Sequence, residues 1–210
     1  MSRFLTRRNS SANRESRDTA TQQSKGFAGK LGAALAQRVA PESGPVPDTT
    51  ALLLDLSGSM WRHAGGTSRQ SRLEALADIV AGLPYVRRFG FSNGCLEIPL
   101  NQRISEIWAD LDFGSGTDLA AAFDTIKAAK VTTAILITDG LPDNDAAALI
   151  AATGLKLHIF YVGPEPVPAF LQDLARAVNG TFETGRLSQP LALTTRIAGF
   201  LPAPAPCIKL

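Results

Sequence analysis

Asp55, Ser57 and Ser59 stand at alternate positions directly after the apolar run Ala51 to Leu54, which reads as a buried strand. A carboxylate and two hydroxyls are therefore delivered together at a strand's carboxyl end. Two more oxygen-bearing turns lie downstream: Gly114-Ser115-Gly116-Thr117-Asp118 ahead of a helix, and Thr138-Asp139-Gly140 after the apolar strand Ala134-Ile135-Leu136-Ile137. Five side chains, Asp55, Ser57, Ser59, Thr117 and Asp139, can then converge. The set contains no imidazole or thiolate, so it suits a hard divalent cation, magnesium or manganese, better than zinc. Two carboxylates balance the charge of one divalent ion and the hydroxyls add none, which leaves such an ion electrophilic toward an outside carboxylate. Magnesium favours six octahedral ligands and sheds water reluctantly, so five protein groups, some acting through water, leave a position open.

At these residues the sequence resembles the von Willebrand factor A family, whose metal-ion-dependent adhesion site runs Asp-x-Ser-x-Ser, then Thr, then Asp. All five positions match, and the resemblance covers residues 49–201. It implies a doubly wound α/β fold with a mostly parallel central sheet, one antiparallel edge strand and helices on both faces. It further implies that Asp55, Ser57, Ser59 and Thr117 are the main metal-facing groups, with Asp139 direct or water-mediated. The implied function is recognition without catalysis: an adaptor module whose divalent ion, Mg2+ or Mn2+, accepts an Asp or Glu from a protein partner. Movement of the last helix on ligation is part of the same implication. Intracellular members work with AAA+ ATPases, metal-chelatase assemblies, or stress and tellurite-resistance complexes. The compact domain and Met60 after the serines are most similar to the tellurite-resistance type. The alternative is a structural component of a larger assembly with a vestigial or stabilising metal site.

The elements that must position the site are legible as alternating strand and helix signals from Thr49 onward, which predict a mostly parallel sheet flanked by helices. A first helix begins near Ser71, spaced from Glu74 as in a capping box, with Leu73, Leu76, Ala77, Val80 and Leu83 on its apolar face and Pro84 beyond its end. Strands over 86–91 and 95–99 flank the hairpin turn Ser92-Asn93-Gly94. A helix after Thr117 carries Leu119, Ala122, Phe123 and Ile126 on one face, and a strand spans 133–138. Helices over 145–152, 167–178 and 188–201 alternate with strands over 156–162 and 181–183. This order puts the oxygen cluster beyond the strands' carboxyl ends, where doubly wound sheets bind ligands, and aims the amides of the helix at Asp118 toward it.

Around the site, Asp118 is expected to cap its helix, and Pro142-Asp143-Asn144 to form a turn and cap, with no metal contact. The loop Met60 to Gly66 is long; Trp61 there either faces a partner or covers the core, and His63 is a surface residue. His158 sits within an apolar strand as a buried neutral ring. Competing chemistries lack their parts. A haloacid-dehalogenase-type phosphatase, the less favoured enzymatic alternative, resembles Asp-x-Asp, and Ser57 occupies the second acidic position. No nucleophile elbow with a paired histidine is present, and no Gly-x-x-x-x-Gly-Lys-Ser/Thr phosphate loop.

The 210 residues carry a net charge of +2, but residues 1–50 hold eight basic and four acidic side chains, which leaves the remainder mildly acidic. Residues 1–24 form a polar, Arg-rich tail expected to be disordered. Residues 25–48 combine an amphipathic pattern, Phe27, Leu31, Leu35 and Val39, with a linker from Pro41 to Pro47. The pattern, weakened by Gly29 and Gly32, suits a helix docking back on the domain, or a partner-binding or membrane-surface segment. Four net charges without an aromatic platform do not predict specific nucleic-acid binding. No apolar run approaches the roughly 18–20 residues of a membrane span, and no secretion signal is visible. Cys95 and Cys207 make no disulfide framework and fit the cytoplasm. Residues 202–210 are a Pro-rich tail; Cys207-Ile208-Lys209-Leu210 departs from a prenylation box at Lys209.

Overall fold

The computed structural model describes residues 49–65, 69–104, 106–107 and 116–201. The expectations for residues 1–48, Gly66, Gly114, Ser115 and the tail 202–210 lie outside these. Six strands, β1 (Thr50–Asp55), β2 (Arg87–Phe91), β3 (Cys95–Ile98), β4 (Thr133–Thr138), β5 (Lys156–Tyr161) and β6 (Thr181–Thr184), form one sheet in the order β3-β2-β1-β4-β5-β6. All neighbours are parallel except β2 and β3, the predicted hairpin, so the sheet is doubly wound with one antiparallel edge strand. The helices are α1 (Arg72–Ala81), α2 (Leu119–Ala128), α3 (Asp145–Ala151), α4 (Ala169–Ala177) and α5 (Pro190–Ala198).

β1 is apolar without interruption because both of its faces are covered, as parallel sheets require. Ala51 and Leu53 pack into one layer with Phe123 of α2, Ala148 of α3 and Leu171 of α4. Leu52 and Leu54 point the other way, into a second layer with Leu73 and Leu76 of α1 and Ile197 of α5. Each fully buried leucine contributes about 1.5–3 kcal/mol, so the strand that carries Asp55 is anchored from both sides. Met60, which the sequence leaves in a loop, is fully buried in the second layer through a 3-10 turn, Gly58–Trp61.

Helix ends differ from expectation where prolines decide them. α4 starts at Ala169 because Pro168 takes the N-cap and holds Val167 out of helical geometry. α5 starts at Pro190, whose fixed φ suits the first helical position, and gives way at Gly199. The predicted helices over 167–178 and 188–201 are therefore shorter at both ends. α1 carries the predicted capping box, with Ser71 and Glu74 bonding reciprocally.

Candidate metal centre

β1 and β4 are adjacent, yet the chain leaves them toward opposite edges of the sheet, and the crevice at their carboxyl ends is the switch point of this topology. Asp55 closes β1 and is fully buried. Its Oδ1 accepts the Ser57 amide at 2.8 Å and its Oδ2 accepts Thr138 Oγ1, from the end of β4, at 2.5 Å. Burial pushes the Asp55 carboxyl up to about 6; the bonds from Ser57 and Thr138 oppose that rise, and the nearby charge of Asp139 adds to it.

The 3-10 turn after β1 folds Ser59 back over Ser57, their hydroxyls 3.0 Å apart. Ser59 Oγ then donates to Asp139 Oδ1 at 2.5 Å, across 80 residues of chain. The other Asp139 oxygen, Oδ2, accepts from Arg72 Nη1 in an ion pair buried on both sides. Arg72 was not among the residues the sequence singles out, and it corrects the charge argument made from sequence: two carboxylates and a guanidinium sum to minus one, so the carboxylates alone do not set the balance. A signal was present. Arg72 is the first helical residue of α1, where a cation opposes the helix dipole unless its side chain has another partner.

Thr117 arrives from a loop laced to its surroundings. The Gly116 amide donates to Asn93 Oδ1 and the Thr117 amide to Asp143 Oδ2, each at 2.9 Å. The Asp143 amide returns a bond to the Thr117 carbonyl at 3.1 Å, and the Asp118 amide reaches the Ser92 carbonyl at 2.7 Å. A Cβ on Gly116 would crowd the ends of the Asn93 and Asp143 side chains, so a larger residue there has to displace them and the bonds they make to this loop. Asp118 caps α2 as expected, accepting the Ala121 amide at 2.9 Å. The cap of α3 is Asn144, while Asp143 holds the threonine loop instead. A Cβ on Gly140 would lie 3.9 Å from Thr117 Oγ1 and 4.0 Å from Ser59 Oγ, so both hydroxyls flank the same backbone.

Asp55, Ser57, Ser59 and Asp139 thus form one bonded group with Thr117 beside it, though Thr117 Oγ1 has no direct bond to the other four among those described. Thr138, Arg72, Asn93 and Asp143 are the supports that sequence alone did not assign. Among the described residues no three His, Cys, Asp or Glu side chains gather as a metal site. Two carboxylates and three hydroxyls fit a hard divalent ion by donor chemistry.

Trp61 and Leu141 lie two residues beyond Ser59 and Asp139 and are 58% and 52% exposed. Trp61 therefore does not cover the core. Beside Arg72 opens a cleft of about 560 Å³, lined also by His63, Gly163, Arg186, Gln189 and Arg196. His63 is exposed, and His158 is buried in β5, its Nδ1 2.9 Å from Thr181 Oγ1 and its ring against Phe200.

No protein-family model matches the sequence, and no curated protein does. Solved structures do. A von Willebrand factor type A protein from Catenulispora acidiphila superimposes with a TM-score of 0.51 at 19% identity, covering 74% of this chain and 42% of that one. Proximal thread matrix protein 1 from the mussel byssus matches in one crystal form with a TM-score of 0.51 at 18% identity, over 76% of this chain and 49% of its own. A structure of the same mussel protein with zinc occupying its metal-ion-dependent adhesion motif gives 0.50 at 16% identity, over 74% and 48%. This chain spans less than half the length of each of these structures. The fold is that of the von Willebrand factor type A structures.

Proposed function

We propose that this domain is a metal-dependent protein-binding module that takes a partner's Asp or Glu at a divalent ion held beyond β1 and β4. Asp55, Ser57, Ser59 and Thr117 would hold the ion, with Asp139 direct or through water. When bound, the ion supplies a Lewis-acidic point for a carboxylate oxygen. The observation that carries this proposal is the convergence of Asp55, Ser57, Ser59 and Asp139, from strands paired across 80 residues, into one bonded group. The mussel protein, which holds zinc in its motif on a similar fold, supports it. The hard donors favour magnesium or manganese here.

The exposed Trp61 and Leu141 beside the crevice suit a protein surface, since an apolar aromatic next to a charged contact is a common anchor of interfaces. The sequence carries no nucleophile elbow with a paired histidine and no phosphate loop, and we assign the site recognition rather than catalysis. The sequence resemblance suggests an AAA+ ATPase or a stress-response or tellurite-resistance complex as partner, and the cytoplasm as location. No described helix is long and apolar enough to cross a membrane. One observation favours a second function, a structural subunit with a stabilising or vestigial site: Arg72 satisfies Asp139 without an ion.

Affinity capture from the source extract separates the two. Retention of a protein by the wild type in magnesium, lost with chelator and lost in a folded Thr117→Ala variant, is the expected result. Capture indifferent to both changes would remove the metal-dependent function and leave the structural one.

A further inference from the structure

Arg72 forms a buried ion pair with Asp139, one of the four residues of the bonded group. Both oxygens of Asp139 are engaged, Oδ1 by Ser59 and Oδ2 by Arg72, and the pair is shielded from water, with side-chain exposures of 5% for Arg72 and 0% for Asp139. An ion taken directly on Oδ2 has to share that oxygen with the guanidinium or displace it. Arg72 also lines the cleft of about 560 Å³ beside the centre, which Arg186 and Arg196 share. Charge points the same way. Asp55 and Asp139 alone would neutralise a divalent ion; with Arg72 retained nearby the loaded centre carries a net charge of plus one, and an arriving carboxylate brings it to zero. Water screens little in so buried a place, so this difference is felt strongly.

We propose that Arg72 is an internal counter-cation: it keeps Asp139 paired in the metal-free protein, weakens binding of a divalent ion alone, and so couples ion uptake to the arrival of an anion. This rests on the metal-dependent function proposed above, which by itself assigns Arg72 nothing. The coupling makes the module bind its ion firmly only in company with a carboxylate-bearing partner.

The test is Mn2+ binding to the full chain, followed by the loss of the free-ion paramagnetic resonance signal, with and without acetate as the carboxylate probe. Wild type is compared with Arg72→Met, Arg72→Lys and Asp55→Asn. Arg72→Met is expected to bind Mn2+ tighter by about tenfold or more in the absence of acetate, the scale on which a guanidinium biases charge at a neighbouring carboxylate. Acetate should strengthen Mn2+ binding by wild type and Arg72→Lys, and change Arg72→Met less. Mn2+ affinity in Arg72→Met equal to or weaker than wild type, with Asp55→Asn still abolishing binding, would overturn the counter-cation and leave the metal site standing. Binding that survives Asp55→Asn, or that is absent from both wild type and Arg72→Met, would remove the metal site and this inference together. Should Arg72→Met be unfolded without metal by circular dichroism, recovery of the fold on adding Mn2+ supports the proposal, and persistence of the unfolded state counts against it.

Discussion

Thr138 and Asp139 are neighbours in the chain but serve different carboxylates. Thr138 donates to Asp55, whereas Asp139 itself accepts from Ser59 and Arg72. Removing the Thr138 hydroxyl leaves one oxygen of a fully buried acid without its donor, and Thr138→Val should cost about 1.5–3 kcal/mol in metal-free urea unfolding. A loss below a few tenths would mean that Asp55 finds another donor. His158 offers a separate test by pH. Burial, helped by Lys156 and opposed by Glu183, holds its pKa below the ordinary 6.5. The unfolded chain then takes up a proton that the folded one resists, so stability falls as pH drops through 6.5 toward the lowered value and is regained above 6.5. In His158→Gln that fall should flatten in urea midpoints measured across this range; an unchanged profile would assign it to other groups. The five oxygen-bearing residues were legible from type and position, because each follows an apolar strand or opens a helix. Arg72 was not, because its place at the start of α1 shows that a cation there wants a partner but not which carboxylate its long side chain reaches.

Elements explain what the residues alone do not. The capping box at Ser71 sets the start of α1 and hence the point from which Arg72 reaches Asp139. Ser71→Ala should cost about 1 kcal/mol of stability, seen as a lower denaturation midpoint, and Glu74→Gln, which keeps an acceptor, should cost less. Equal losses would show that the carboxylate charge at the helix start matters as much as the serine bond. Strand and helix order was readable because β1, β4 and β5 are apolar runs and the helices carry apolar faces at helical spacing. Helix ends were less so: Pro168 and Pro190 shift the starts of α4 and α5 by a backbone effect that periodicity does not register. The burial of Met60 depends on the 3-10 turn, a conformation without a periodic signature in four residues.

At the scale of the molecule, the central strand is paired on one side with β2 and on the other with β4, Thr50 lying opposite Thr133. Contacts of such separation carry a large loop-closure cost and form slowly. The centre depends on the β1–β4 pair, so an ion bound there stabilises an arrangement completed late. Added Mg2+ or Mn2+ should then slow unfolding while leaving the refolding rate nearly unchanged, measured by stopped-flow in denaturant. A faster refolding limb would mean that the ion joins the chain before the sheet closes.

The bond from Thr138 to Asp55 spans 83 residues, and this has a consequence during synthesis. A growing chain emits β1, its turn and its first helix long before the strand that completes their carboxyl ends. No nascent fragment ending ahead of Asp139 possesses the oxygen cluster, however well its early segments have condensed. On the function proposed above, competence to grip a carboxylate would be withheld until β4 and the turn after it have left the ribosome.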